Sequence, residues 1–214
     1  MVAAFTETLL KIAAATGRSL SDQEVRRFEA HFRLLREWGR RMNLTGLKDE
    51  SMIAKRHFLE PIAVADLLEN EGRLVDLGSG NGFPAVPIKV LRPGLELVLV
   101  ESSEKKSAFL WAVIRELGLR EARVETRRVH RLADLADLLP CRYLTLRAVR
   151  SDNLLKGKGI QILATGGKAL FFVTTDEVER LRRHIPMEGL RLSGTRLLPS
   201  DPRSVLAILE PRPV

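Results

Sequence analysis

The chain is short of the residues that make cross-links and membrane anchors. Cys141 is its only cysteine, which excludes an internal disulfide and a cysteine-rich metal site and leaves the thiol as a small buried hydrophobe. No apolar run approaches the roughly 18 to 20 residues that a membrane-crossing helix needs. The first residues, Met1-Val2-Ala3-Ala4-Phe5-Thr6-Glu7, hold no basic segment leading into an apolar core and cleavage site. The expectation is a soluble, cytoplasmic protein. Repeats, low-complexity tracts and long linkers are also missing. A chain of 214 residues fits one α/β core with a small appendage, since domains usually run about 100 to 200 residues. Acidic residues are outnumbered, 27 against 35 basic ones, for a net charge of +8. That balance favours a polyanionic partner, with solubility as the plain alternative.

What is present is a short apolar run that breaks into alternating glycines: Leu74-Val75-Asp76-Leu77-Gly78-Ser79-Gly80-Asn81-Gly82-Phe83-Pro84. It reads as a strand ending in a ligand loop, because Gly78, Gly80 and Gly82 allow positive φ and a close approach of backbone N–H groups to a bound molecule. A structural glycine turn would use the same residues. One βαβ unit later a second apolar run, Leu95 to Val100, ends at Glu101, where a carboxylate can accept both hydroxyls of a ribose. Together they imply a nucleoside cofactor. The spacing is G-x-G-x-G rather than the dinucleotide G-x-G-x-x-G, and no Lys-Ser or Lys-Thr follows to hold a phosphate and magnesium. S-adenosylmethionine fits better than NAD or ATP, with Asp76 facing its ammonium group.

Before the loop the pattern is helical. Phe5, Leu9, Ile12 and Ala13 share a face before Gly17. Ser21 and Glu24 form a capping-box pattern, and Val25, Phe28, Phe32, Leu35, Trp38 and Met42 carry a helical period onward. Arg26, Arg33, Arg36 and Arg40 gather on another side, as a solvated surface or an RNA contact. Asn43-Leu44-Thr45-Gly46 breaks the period, Asp49 or Ser51 caps a further helix, and Pro61 kinks or restarts it. His57 beside Arg56 reads as structural, and no metal is expected. The boundary falls near Glu71-Gly72, giving a helical extension over 1–70 and an α/β domain over 71–214.

Strands are expected near Leu74 to Leu77, Leu95 to Val100, Val124 to Arg127, Tyr143 to Leu146 and Lys168 to Val173. Helices run over Ala85 to Leu91 and over Glu104 to Leu117, the latter with Ala108, Leu110, Trp111, Ile114 and Leu117 as apolar positions ending at Gly118. The alternation argues a parallel sheet covered on both faces. Thr174 and Glu177 suggest another capping box. After it, Leu190 to Leu198 and Val205 to Leu209 have no obvious helix between them and are expected to close the sheet as an antiparallel pair, as in a methyltransferase-type fold.

Asn43-Leu44-Thr45, Arg56-His57-Phe58-Leu59-Glu60 and the Gly-Phe-Pro form of the loop together resemble the bacterial RsmG (GidB) family of small-subunit ribosomal RNA methyltransferases. The likeness continues through Glu101-Ser102-Ser103-Glu104-Lys105-Lys106, Phe109-Leu110, Leu146-Arg147-Ala148-Val149, Gly166-Gly167 and Arg203. The resemblance implies a class I S-adenosylmethionine-dependent methyltransferase fold: a mostly parallel seven-stranded sheet, an antiparallel last strand and an N-terminal helical extension. It also implies methyl transfer to guanine N7 of 16S ribosomal RNA. The cofactor residues it implies are Asp76, Gly78, Ser79, Gly80, Gly82, Phe83, Glu101, Ser102, Val129 and His130, with Pro84 helping to shape the pocket wall. Arg147 would hold the nucleotide or its phosphate, or else form a structural salt bridge at a strand end. The partner would be 16S RNA or the small ribosomal subunit, not DNA or a membrane, with a monomer as the default.

The chain departs from the family pattern at several points. His130 stands where a carboxylate is expected beside the adenine, in Arg127-Arg128-Val129-His130, and Leu146 replaces the Ser of Ser-Arg-Ala. Cys141-Arg142 replaces an aromatic-Asp start, Phe172-Val173-Thr174 lacks the lysine of Leu-Lys-Gly, and Gly39 and Met42 stand where Asn and Tyr are usual. Other readings are therefore a methyltransferase for another substrate, a non-catalytic RNA- or ribosome-binding module and, more distantly, a nicotinamide dehydrogenase. Arg33, Arg36, Arg40, Arg147 and Lys156 supply basic charge outside the loop.

Overall fold

The computed structural model describes residues 2–47, 49–147, 162–184 and 189–212. Ala148, Val149 and Lys156 lie outside them. Seven strands form one sheet: β1 (Arg73–Leu77), β2 (Glu96–Glu101), β3 (Ala122–Thr126), β4 (Cys141–Arg147), β5 (Leu163–Thr174), β6 (Leu190–Leu197) and β7 (Ser204–Pro211). Their order is β3-β2-β1-β4-β5-β7-β6. The first five pair in parallel, and β7 runs between β5 and β6 against both. The antiparallel closure expected from the sequence is present.

Both faces of the sheet are covered, so alternate residues of one strand enter different cores. Leu74, Leu97, Leu99, Tyr143, Leu170 and Phe172 face one cluster, while Val75, Val98, Val100, Leu144 and Phe171 face the other. The first cluster also takes in the N-terminal helices α1 (Val2–Ala15) and α2 (Asp22–Trp38). Phe5 of α1 stacks on Phe32 of α2 at 4.1 Å and meets Phe58 edge-on at 4.9 Å. These helices therefore share the core of the sheet.

The capping boxes at Ser21 and Thr174 form as expected: Glu24 accepts from the Ser21 N–H at 2.7 Å and Glu177 from the Thr174 N–H at 2.8 Å. Helix α2 stops at Trp38, one turn before the apolar period does. Glycine at position 39 weakens the helix, and a turn in which the Met42 N–H returns to the Trp38 carbonyl brings Met42 onto the core without further helix. Asp49 caps α3 (Glu50–Ile53). A π-helical turn, Ala54–Leu59, then leads into α4 (Glu60–Val64). Pro61 has no N–H to give back to that turn, and the Arg56 carbonyl accepts from Arg147 instead, at 2.9 Å.

Helix α5 (Ala85–Leu91) has the expected bounds, and α6 (Glu104–Glu116) ends at Leu117 before Gly118. The buried stripe of α6 is Phe109, Leu110, Val113, Ile114 and Leu117. Trp111 lies off that 3.6-residue stripe and is 47% exposed, and Ala108 is exposed too, correcting their expected inward placement. Helix α7 (Thr175–His184) covers the second face through Val178 and Leu181.

Candidate active site

Strand order reverses at β1: β2 and β3 lie on one side, β4 and β5 on the other. Such a switch point opens a crevice at the carboxyl ends of the strands, and the glycine loop leaves β1 there. Gly78, Gly80 and Gly82 have φ of 70°, 55° and 84°, the left-handed region that side chains resist. At Gly82 a Cβ would also come within 2.9 Å of Val86 Cγ2. The Gly78 and Ser79 N–H groups donate to the Val100 carbonyl at 2.9 and 3.1 Å, binding the loop to β2.

Two carboxylates face this turn. Glu101 accepts from the Gly80 N–H at 2.8 Å with one oxygen and from the Ser103 N–H at 2.8 Å with the other. It is turned toward the loop, as the ribose reading requires. Asp76 accepts from the Thr145 hydroxyl at 2.6 Å through Oδ1, in register across β1 and β4. Its Oδ2 is buried and has no partner among the described residues. Burial pushes the Asp76 carboxyl up to about 6, against the Thr145 hydrogen bond and the nearby Ser79 hydroxyl, which itself donates to the Asp76 main-chain carbonyl, with the Glu101 charge adding to the rise.

The other side of the loop is buried. The Phe83 ring lies between those of His31 and His57, at 4.3 and 4.5 Å and nearly parallel to both. Phe83 is 3% exposed, so its ring sets the loop from beneath. His31 Nε2 donates to the Asn81 carbonyl at 3.0 Å, since that oxygen can only accept. His57 Nε2 meets the Thr45 hydroxyl at 3.1 Å, and the Asn81 side chain donates to the Leu44 carbonyl at 3.1 Å. Burial draws His31 down to about 4 against its bond to Asn81; burial and the charges of Arg147, His31 and Arg56 draw His57 down to about 3. Both rings are neutral at physiological pH.

Arg147, at the end of β4, pairs with Glu60 at 2.8 Å, with side-chain exposures of 15% and 2%. Its other nitrogen donates to the Arg56 carbonyl at 2.9 Å, and Ser200 donates to Glu60. The salt-bridge alternative is thus formed. Burial pulls the Arg147 guanidinium down from its ordinary range and Glu60 pushes it back. Ser102 is exposed beside Glu101. Val129 and His130 follow β3 in a segment tied to β2 by the Arg127 N–H on the Glu101 carbonyl at 3.0 Å. Val129 packs on the second core, while His130 is exposed and gives its N–H to Asp134 at 2.9 Å. The structure therefore gathers the loop, Asp76 and Glu101, with Arg147 on the neighbouring strand.

Sequence reasoning gave no role of their own to His31, Thr45, Glu60, Asn81 and Thr145, although Thr45, Glu60 and Asn81 stand in the stretches that carry the resemblance. His31 carried a signal, lying between Phe28, Phe32 and Leu35 on the apolar stripe of α2. Asn81 sat inside the glycine loop. The pairing of Thr145 with Asp76 and of Glu60 with Arg147 crosses 69 and 87 residues of chain, and nothing local marks either. Among the described residues no His, Cys, Asp and Glu group could hold a metal ion, and no helix is long and apolar enough to cross a membrane.

Residues 24–201 match the family model of GidB, rRNA small subunit methyltransferase G. The Ribosomal RNA small subunit methyltransferase G of Roseiflexus castenholzii is 36% identical over 193 residues, 88% of this chain and 82% of the relative. The protein of that name from Chloroflexus aggregans is 32% identical over 213 residues, 96% and 90%. Among solved structures, Aeropyrum pernix fibrillarin with natively bound S-adenosyl-L-methionine aligns with a TM-score of 0.55 at 18% identity, covering 70% of this chain and 74% of that one. A ribosomal protein L11 methylase from Lactobacillus delbrueckii subsp. bulgaricus aligns at 0.57 and 12% identity, covering 72% and 79%. The sheet order and these likenesses make the fold that of the class I methyltransferases, and the two polypeptides at 36% and 32% identity, with the match over 24–201, place the chain in the rRNA small subunit methyltransferase G family.

Proposed function

We propose that the chain transfers a methyl group from S-adenosylmethionine to guanine N7 in the 16S RNA of the small ribosomal subunit. One observation carries the cofactor reading: Asp76 and Glu101 converge on a left-handed glycine turn at the switch point, and Asp76 Oδ2 has no partner among the described residues. A pair of carboxylates suits a cationic ligand with hydroxyl groups and repels a phosphate. When bound, S-adenosylmethionine supplies an electrophilic methyl on a cationic sulfonium. Asp76 would hold its ammonium and Glu101 its ribose hydroxyls, while Gly78, Ser79, Gly80 and Gly82 give the close backbone wall. Ser102, Val129 and His130 would border the adenine, with main-chain groups doing what the missing carboxylate would have done. Phe83 keeps the wall in place.

Guanine N7 carries an in-plane lone pair, so the carbon–sulfur bond can break as the nitrogen–carbon bond forms without a base removing a proton. The demand is alignment and exclusion of water. Arg147 is proposed to meet the target nucleotide by exchanging one of its internal bonds for a phosphate oxygen. In this reading residues 1–70 are a helical extension and 71–214 the catalytic domain, acting as a monomer on RNA and not on DNA. Mapping N7-methylguanine in 16S RNA from cells with and without the gene tests it, the expected result being loss of one methylated guanine. An unchanged map, with S-adenosylmethionine still bound in a titration, would overturn the activity and favour a binding module.

A further inference from the structure

We propose that the hollow at the C-terminal end of α2 is a groove for the phosphate backbone of the RNA substrate, with Arg36, Arg40 and Arg41 as its phosphate-binding side chains. The inference rests on the methyltransferase reading above and extends it to where the RNA lies. The hollow has a volume of about 530 Å³, and Asn43 and Thr45 form part of its wall beside the three arginines.

Among the described residues, the three arginines are exposed and have no ion pair, and none of those lining the hollow is acidic. Their neighbours differ: Arg33 pairs with Glu116, and Arg27 donates to the Leu117 carbonyl at 3.1 Å. Complementing the helix dipole explains only part of this, since the C-terminus carries roughly half a charge and three full ones surround it. Glu37 lies on the same turn but forms no ion pair with them among the described residues, so the guanidiniums repel one another in part, and a polyanion relieves that repulsion. Their planar forks match phosphate oxygens.

Continuity with the candidate active site argues for RNA as the occupant. Thr45, in the wall of the hollow, meets His57 at 3.1 Å, and the Leu44 carbonyl takes the Asn81 side chain at 3.1 Å. The groove wall is therefore bonded to the glycine loop.

The test is a fluorescence-anisotropy titration of labelled 16S RNA with the full-length protein over a series of KCl concentrations. The variant Arg36→Gln/Arg40→Gln/Arg41→Gln should bind more weakly, and its slope of log affinity against log salt should flatten by about 2 to 3, at roughly 0.7 to 0.9 per lost phosphate contact. S-adenosylmethionine affinity should be unchanged, showing that the fold survives. The Lys triple variant should keep most of the slope. An unaltered slope and affinity in the Gln variant would overturn the groove, as would tight RNA binding that an acidic protein, but not polyphosphate, competes away. Should the wild-type chain neither bind nor methylate RNA, the methyltransferase reading itself falls. Failure of the groove alone leaves wild-type methylation intact.

Discussion

Two hollows of nearly equal size differ in how their charged residues are engaged. One, of about 510 Å³, is bordered by Glu96, Glu121, Ala122 and Arg123 at the β2–β3 edge. The other, of about 530 Å³, holds Arg36, Arg40 and Arg41. At the first, Glu96 takes Arg73 at 2.9 Å and Arg123 at 2.5 Å, and Arg123 reaches Glu125 at 3.0 Å. Its arginine is engaged from within. At the second, no ion pair among the described residues engages the three arginines. Volume does not separate a site from a surface dent. What separates them is whether the charged groups already have partners inside the protein, because an ion pair must be broken before its members can serve a ligand.

The sharpest way to break that comparison is at Arg147, where the same side chain has been assigned both an internal and an external role. Arg147→Ala leaves Glu60 buried without its partner and should cost about 3–5 kcal/mol in a urea melt, whereas Arg147→Met with Glu60→Leu should recover most of that loss. Methylation by the double variant would show that the pair serves the fold alone. Wild-type stability in Arg147→Ala would break the rule.

Acid comes next. His31 and His57 titrate lower folded than unfolded, so the unfolded chain binds more protons and stability falls as the pH drops below about 6.5. Asp76, raised to about 6, has the opposite sign: its contribution is present below about 4 and lost as the pH rises through 6. From pH 7 to 4 the histidines should lose about 6 kcal/mol and Asp76 restore about 2, a net loss of about 4 kcal/mol. Urea melts across that range check it, and a flat profile would mean that the rings are not held neutral by burial.

A smaller effect is expected at Thr145→Val. Removing the hydroxyl from Asp76 should cost about 1–3 kcal/mol and move the pH at which S-adenosylmethionine binding rises to a higher value. An unmoved midpoint would separate Asp76 from the ligand. The smallest belongs to the hollow at the β2–β3 edge: Arg123→Gln should change stability by less than about 1 kcal/mol, because its ion pairs are partly exposed. Arg73→Gln/Arg123→Gln should leave RNA affinity and its salt slope as they are. A fall as large as that of the α2 triple variant would erase the distinction between the hollows.

Much of this was readable along the chain. Caps, glycine stops and the strands at Leu74 and Leu95 depend on residues within a turn or two, so their signals are local. The period of α2 overran its helix because Met42 packs equally well from a turn, and the stripe of α6 was misplaced because apolarity alone brought Trp111 inward. His31 stood on the apolar stripe of α2 and His57 beside Arg56, but their stacking on Phe83 could not be read locally, since the ring lies 52 and 26 positions away.

By itself the sequence determined the order of elements, the positive-φ loop and the acid at the end of the next strand, all of which follow from backbone conformation and from the alternation of apolar residues over short stretches. Only the tertiary structure decided which charges remain available. Arg147 is engaged by Glu60 and Arg123 by Glu96, while Arg36, Arg40 and Arg41 are left to solvent. An arginine looks the same in sequence in either case, because its partner is chosen by how the chain packs in space.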